Sequence, residues 1–523
     1  MRFTRRLHAV PHWARVVLIS AMAACWLAWH VGRAEILFPD GLRYVAQARA
    51  LDRGAWTDGL RHAVDHPLYP LLIAATHRLL GADNGPIGWQ FAAQVAAAAA
   101  GTLLVFPIYL VARERFGSSS AWLCCVLVFL VPLPAHVFAD VLSESTFLLF
   151  WLWGVWTALR FLRQGEVRWL ILSLGFGGLA YLSRPEGLLL FVALLLTLGL
   201  TVLVPSARLS STRWWRSMAI LVVGPMVLVG PYIAIKGGIG TKPAFARLLG
   251  LSDPSKPDAV ERERPLPAKI STGQLYRMSG AAAFLAICGA LTFPLLPFSV
   301  IGIVVAIRRT HREQIRGWLF LGVVFATSTL AFARLYATGG YCTPRHTLAI
   351  TFLLMISAGA GIRSAIAGVV RSCRANWMRR GLRLTPTIVI LLGLITVNGP
   401  ALTAPVNAGA GSYREAGFWV VRNVPNEGRI VDVTGWAQFY SEHSGYTFAN
   451  LIEAPSDPTA RWVIVRDAHL SGPWPYCEQL RSLLTGAKLV ARFPANRQPG
   501  RSRVSIYERP ATIAIGLSET SRR

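Results

Sequence analysis

The sequence predicts a multi-pass α-helical membrane protein of about 11 transmembrane helices with a small α/β domain at its C-terminal end. Three observations predict it. Of 523 residues, 53% are hydrophobic and only 15% are charged, against about 25% charged in an ordinary soluble domain. Apolar runs of about 20 residues, enough to cross a bilayer, recur from the first fifty residues to about residue 404. The stretch after that has ordinary composition. This distribution excludes a soluble enzyme, a disordered chain and a secreted disulfide scaffold.

The apolar runs place spans near 14–34, 88–111, 119–137, 141–161, 168–183, 185–204, 217–236, 279–306, 317–333, 346–367 and 385–405. Arginines occupy every second connection: Arg113 and Arg115, then Arg160, Arg163 and Arg168, then Arg208, Arg213 and Arg216. Further on come Arg308, Arg309, Arg312 and Arg316, then Arg371, Arg374, Arg379, Arg380 and Arg383. Basic loops face the cytoplasm. With Arg2, Arg5 and Arg6 also inside, an odd span count puts the C-terminal domain outside a cell (inner) membrane. The net charge of +27 is then topological, and no nucleic-acid partner is expected.

The first apolar run has no small-residue cleavage site before Glu35, which reads as a retained helix. Residues 1–405 form the membrane part, with outer loops 35–87 and 237–278. Within the first loop, 67–80 is apolar on one side and too short to span, as in an interfacial helix. The second loop is rich in Pro and charge; a lid and a linker both fit it. Residues 406–523 alternate helix-like and strand-like segments, enough for one small extracytoplasmic α/β domain. The seven cysteines include no C-x-x-C pair, so neither a zinc ribbon nor a thiol redox site is supported.

Polar residues at membrane depth are costly and tend to be functional. Here they gather at the outer ends of the spans. Asp40 follows the first span and either caps the helix after it or offers a carboxylate at the surface. In Asp65-His66-Pro67-Leu68-Tyr69-Pro70 two prolines flank the aromatic Tyr69 and fix a rigid corner, holding His66 and Asp65 near the interface. Asp140 and Glu144, four apart, share a helix face near its N-terminus. Capping accounts for Asp140 without further function, whereas Glu144 lies deeper. Arg184 and Glu186 share a tight turn, as an ion pair or as ligand groups. Lys236, Arg334, Arg345 and His346 stand at other outer ends, and the arginine fork suits phosphate.

In the context of Asp40 (DGLRYVAQARAL), the HPLYP corner, LSESTFLLF and YLSRPEGLLL, the sequence resembles the GT-C glycosyltransferases of the protein O-mannosyltransferase and aminoarabinose-transferase type. The resemblance covers residues 30–190 well and the later spans by layout. One departure is that Gly41 follows Asp40, where many relatives carry a second acidic residue. The resemblance implies a sugar donor on a polyprenyl phosphate or diphosphate, used on the non-cytoplasmic face on a hydroxyl or amine acceptor. It implies Asp40 as base, Asp140 and Glu144 as second-site carboxylates, and phosphate contacts from Arg184, Arg345 and Lys236. Some relatives use a divalent cation, but oxygen ligands this scattered do not establish one. The rivals are a multi-pass transporter, which predicts inverted repeats and midplane charges, and a non-catalytic cell-envelope polymer export or assembly protein.

The charge alternation makes a direct prediction. Reporter fusions after residues 316 and 523 are expected to report opposite compartments; the same compartment for both removes the odd-span topology.

Overall fold

The computed structural model describes residues 11–240, 272–308, 310, 314–339, 343–372, 385–471, 475–496, 500 and 502–510. Most of the second long loop, 241–271, therefore lies outside the described residues. The membrane part opens with α1 (His12–Val31), followed by α2 (Pro39–Asp52), α3 (Leu68–Leu80), α4 (Pro86–Leu103) and α5 (Val105–Phe116). Then come α6 (Ser118–Phe129), α7 (Pro132–Ala139), α8 (Glu144–Gln164), α9 (Val167–Ser183), α10 (Leu188–Leu203) and α11 (Ser211–Lys236). After the undescribed loop follow α12 (Thr272–Leu291), α13 (Leu296–Arg308), α14 (Ile315–Gly339), α15 (Leu348–Ser372) and α16 (Thr385–Thr403).

Among the described residues eight helices are long and apolar enough to span, or up to ten spans if each of two bent pairs counts as one. The expected count of 11 needs α9 as well. That helix is apolar but only 17 residues long, about 26 Å at 1.5 Å per residue. Two expected continuous spans are broken. The α6–α7 pair bends by 67° and the pair Tyr276–Leu291 plus Phe293–Arg308 by 91°. Pro132 and Pro294 follow the breaks, and neither can donate the backbone hydrogen bond that would continue a helix. At the second break Thr292 has φ 66°, which ends helical geometry outright.

The expected interfacial helix of the first loop is α3, and it packs on protein. On α3, Tyr69 and Ile73 are fully buried in a cluster with Tyr44 and Val45 of α2, Trp89 and Ala93 of α4, and Val141. The apolar side of α3 therefore rests on protein, and the loop is a packed layer over the helix ends. Elsewhere glycines permit the closest approach. A Cβ on Gly302 would overlap the Ser357 carbonyl oxygen, and one on Gly361 would overlap that of Phe298. Bare backbones bring α13 and α15 together, the small-residue mode of helix packing in bilayers.

The soluble domain comprises α17 (Ser412–Asn423), β1 (Arg429–Asp432), α18 (Trp436–Ser441), β2 (Gly445–Tyr446), β3 (Ala460–Arg466), α19 (Asp467–Ser471), α20 (Pro475–Leu483), β4 (Lys488–Phe493) and β5 (Val504–Glu508). The sheet order is β2-β1-β3-β5-β4. The first three strands are parallel, and β5 runs antiparallel to β3 and β4. Apolar residues fill both faces: Val431, Val463 and Leu480 on one, Ile430, Ile464 and Val420 on the other. Cys477 is buried as a free thiol.

This domain is tied to the first loop. Trp436 Nε1 donates to the Leu37 carbonyl at 2.9 Å and Tyr440 to Gln90 Oε1 at 2.7 Å. Glu35 pairs its backbone N–H with the Val406 carbonyl and its carboxylate with the Gly411 N–H. Arg49 and Glu442 form an ion pair at 2.9 Å.

Because α13 and α15 meet backbone to backbone, Gly361→Ala is expected to lower stability by about 1–3 kcal/mol despite its better helix propensity. Gly393→Ala, where a Cβ would meet nothing within 4 Å, should be neutral or slightly stabilising. Thermal melts of the two purified variants compare them; equal melts contradict the close crossing.

Candidate active site

Four segments converge at one end of the bundle: the first turn of α2, the Asp140–Glu144 corner, the turn after α9, and the 3₁₀ turn Pro344–Thr347 before α15. Their charged groups form an alternating chain. Asp65 pairs with Arg43 at 3.0 Å, and Arg43 with Asp40 at 3.0 Å. Asp40 pairs with Arg345 at 2.8 Å, and Arg345 reaches Glu144 at 3.7 Å. Glu144 meets Arg184 at 2.8 Å, and Arg184 meets Glu186 at 2.8 Å.

The local sequence explains each placement. Pro39 starts α2, so Asp40 falls in its first turn and Arg43 one turn later on the same side. Glu144 is the first residue of α8, where the helix dipole favours an anion. Arg184 ends α9 in extended backbone before Pro185, which directs its side chain inward. It is buried, and burial alone would weaken its charge. Glu144 and Glu186 outweigh that and raise its pKa well above the ordinary arginine range.

The Glu144 side chain is 3% exposed. Its ion pairs are close in distance, yet neither carboxylate oxygen, nor Nη1 of Arg345, is in hydrogen-bond alignment. Charge rather than directed bonding holds this junction. Beside it is a narrow cavity of about 20 Å³, room for about one water. One wall is polar (Glu144, Arg184, Glu186, Arg345, His346); the other is apolar (Phe147, Trp151, Phe332, Leu348).

The remaining expected residues occupy different places. Asp140 is buried, and its carboxylate accepts from the backbone N–H groups of Phe38 at 3.0 Å and Val141 at 2.7 Å, and from Asn407 Nδ2 at 2.9 Å. Burial pushes its pKa up to about 6, against those donors. The carboxylate is committed to joining three segments. Tyr69 donates to the Ala93 carbonyl, and His66 sits edge-on to Tyr181, 4.8 Å between centroids. Lys236 Nζ donates to the Ala63 carbonyl. His346 Nδ1 accepts from the Thr343 N–H in a capping box while its ring lines the cavity. Arg334 is exposed on α14. Among the described residues no three His, Cys, Asp or Glu side chains converge as a metal set; guanidiniums stand between the carboxylates instead.

Sequence reasoning passed over Arg43 and Ser143. The i,i+3 spacing from Asp40 was the available signal for Arg43. Ser143 bridges Tyr44, at 2.9 Å, and Arg184, at 3.4 Å; no local pattern announces that contact.

A multi-span bundle with this cluster at one face, under a small α/β domain, has the fold of the GT-C membrane glycosyltransferases. ArnT from Cupriavidus metallidurans bound to undecaprenyl phosphate is similar over 94% of this chain and 97% of its own, with TM-score 0.54 and 14% identity. The oligosaccharyltransferase of Archaeoglobus fulgidus in its apo form is similar over 97% of this chain and 75% of its own, with TM-score 0.58 and 12% identity. The same enzyme, AglB, in complex with an inhibitory peptide and a dolichol-phosphate, gives TM-score 0.58 at 11% identity, over 96% of this chain and 75% of its own. In sequence, residues 62–233 match the family model of dolichyl-phosphate-mannose-protein mannosyltransferase. No curated protein sequence matches the chain.

Removing a buried partner leaves an uncompensated charge, which costs about 3–5 kcal/mol. Glu144→Gln is therefore expected to lower the melting temperature strongly. Glu186→Gln, whose side chain is 30% exposed, should change stability by about 0–1 kcal/mol. Equal losses would refute the central place given to Glu144.

Proposed function

We propose that this chain transfers a sugar from a polyprenyl-phosphate donor to a hydroxyl or amine acceptor on the extracytoplasmic face of the membrane. The observation that carries the reading is Arg345, whose guanidinium touches Asp40 on one side and reaches Glu144 on the other. A phosphate bound at Arg345 would stand next to the Asp40 carboxylate, so leaving group and base would be neighbours.

The chemistry follows from that neighbourhood. The acceptor oxygen or nitrogen attacks the anomeric carbon, and the bond from that carbon to the phosphate oxygen breaks. The bonding electrons leave on the phosphate, and the acceptor proton passes to Asp40. Arg345 and Arg184 stabilise the departing phosphate through charge-assisted hydrogen bonds. Glu144 holds both guanidiniums in place without locking them in directed bonds, so phosphate oxygens can replace it as their acceptors. The apolar wall of Phe147, Trp151 and Phe332 offers the first prenyl units a surface. Glu186 orients Arg184, and His346 shapes the polar wall. Asp140, Tyr69, His66 and Lys236 act by holding the first loop in position. The basic loops favour an extracytoplasmic Asp40 face in a cell membrane. The known lipid ligands of the fold relatives, undecaprenyl phosphate in ArnT and dolichol-phosphate in AglB, support the donor class.

Two variants test the reading. Asp40→Asn should reduce transfer by about 10²–10⁴ with donor KM and melting temperature nearly unchanged. Arg345→Lys keeps the charge but loses the fork, and should raise donor KM about tenfold with a smaller effect on the melt. Full turnover in Asp40→Asn would reduce Asp40 to a partner of Arg43. Mass spectrometry of polyprenyl-linked sugars accumulating without the protein would name the donor.

A further inference from the structure

A further groove lies at the other end of the molecule. It has a volume of about 810 Å³ between α6, α15 and α16, and its lining includes Ser119, Trp122, Ile366, Ala367, Arg363 and Arg371. Arg345 and Arg371 stand at opposite ends of the span Pro344–Arg371, about 39 Å apart at 1.5 Å per residue. This groove is therefore on the membrane face opposite to Asp40 and is no part of the site described above.

Among the described residues no carboxylate lines it. None of the three helices that form it contains an Asp or Glu, and neither does the sequence from 361 to 385. Arg363 is exposed and lies about 13 Å from the Ser372 end of α15. A guanidinium facing lipid below the surface is costly, and less so toward the interface. Arg371 folds back along the same helix, its Nε donating to the Ala367 carbonyl at 3.1 Å, so both cations are held at the groove. The first turn of α6 has no side-chain cap, and its positive dipole end adds to the attraction for an anion. Trp122, with Arg15 5.8 Å from its ring centroid, gives the wall an amphipathic side chain suited to the headgroup level.

We infer that this groove binds an anionic glycerophospholipid of the bilayer, with its phosphate between Arg363 and Arg371 at the open N-terminus of α6 and an acyl chain along Ile366 and Ala367. Charge complementarity selects the ligand. A zwitterionic lipid brings its own cation to a groove that has no carboxylate to receive it. Basic pockets between transmembrane helices recognise anionic headgroups in this way.

The test titrates the full-length purified protein with phosphatidylglycerol, or with phosphatidylcholine of the same acyl chains, and reads lipid-bound species by native mass spectrometry. Phosphatidylglycerol should bind more tightly. Each of Arg363→Gln and Arg371→Gln should weaken it about fivefold, with phosphatidylcholine unchanged and Arg168→Gln without effect. Ala367→Trp keeps both arginines but fills the groove, and should also weaken phosphatidylglycerol; it serves where the arginine variants lose their fold. Equal affinity for the two lipids in the unaltered protein, or phosphatidylglycerol affinity unchanged in all three groove variants, would overturn the proposal. So would the three variants weakening undecaprenyl phosphate while leaving phosphatidylglycerol unchanged.

Discussion

Glu144 is the carboxylate around which the candidate site is arranged. Two guanidiniums from distant parts of the chain, Arg184 and Arg345, converge on it at a depth where neither charge would be tolerated alone. A buried ion pair contributes little net stability relative to an apolar pair, but breaking it is expensive. The constraint is therefore positional. The helix ends that carry these residues must stay in register, and Asp40 is held through Arg345 as part of the same chain. In the proposed function this charged, imperfectly hydrogen-bonded junction is where the incoming anion binds.

The packed first loop makes this register possible. Its underside is a hydrophobic cluster in which Tyr44 and Tyr69 interlock with Trp89 of α4, and it is bound to the soluble domain through Trp436 at the Leu37 carbonyl and the Arg49–Glu442 ion pair. Asp140 joins the two levels, because its carboxylate receives donors from Phe38, Val141 and Asn407 at once. The α/β domain thus braces the loop that carries Asp40. Sequence and packing agree on the reason: residues 35–87 are too polar to enter the bilayer and too apolar to stay in water uncovered.

The two membrane faces use arginine in different ways. At the Asp40 face each guanidinium of the cluster is matched by carboxylates, and the chain of alternating charges is closed within the protein. At the opposite face Glu114 takes Arg160 and Arg163, but Arg363 and Arg371 have no acidic residue on the helices around them. Under the proposed function, the first arrangement exchanges one internal anion for a substrate phosphate. The second suits a site whose anion comes from the bilayer.

The sequence by itself determined the membrane class, nearly all the helix positions, four of the five strands of the C-terminal domain and the gathering of polar residues at one end; the short β2 at Gly445–Tyr446 carries no local signal. These follow from composition and local periodicity, because a bilayer enforces about 20 apolar residues per span whatever the packing. It also singled out Asp40, Glu144, Arg184 and Arg345, since charge beside an apolar run is visible in one dimension. Only the tertiary structure decided how those residues are divided. Asp140 and Glu144 look alike as acids four apart, yet one is occupied by backbone donors and Asn407 while the other meets two arginines. Lys236 stands at a helix end like the arginines, and only the tertiary structure brings its Nζ to the Ala63 carbonyl. The bends at Pro132 and Thr292, and the burial of the helix 68–80 against α2 and α4, were equally out of reach. Each depends on contacts between residues up to hundreds of positions apart, whose closeness is set by the packing of the whole bundle and by no local pattern.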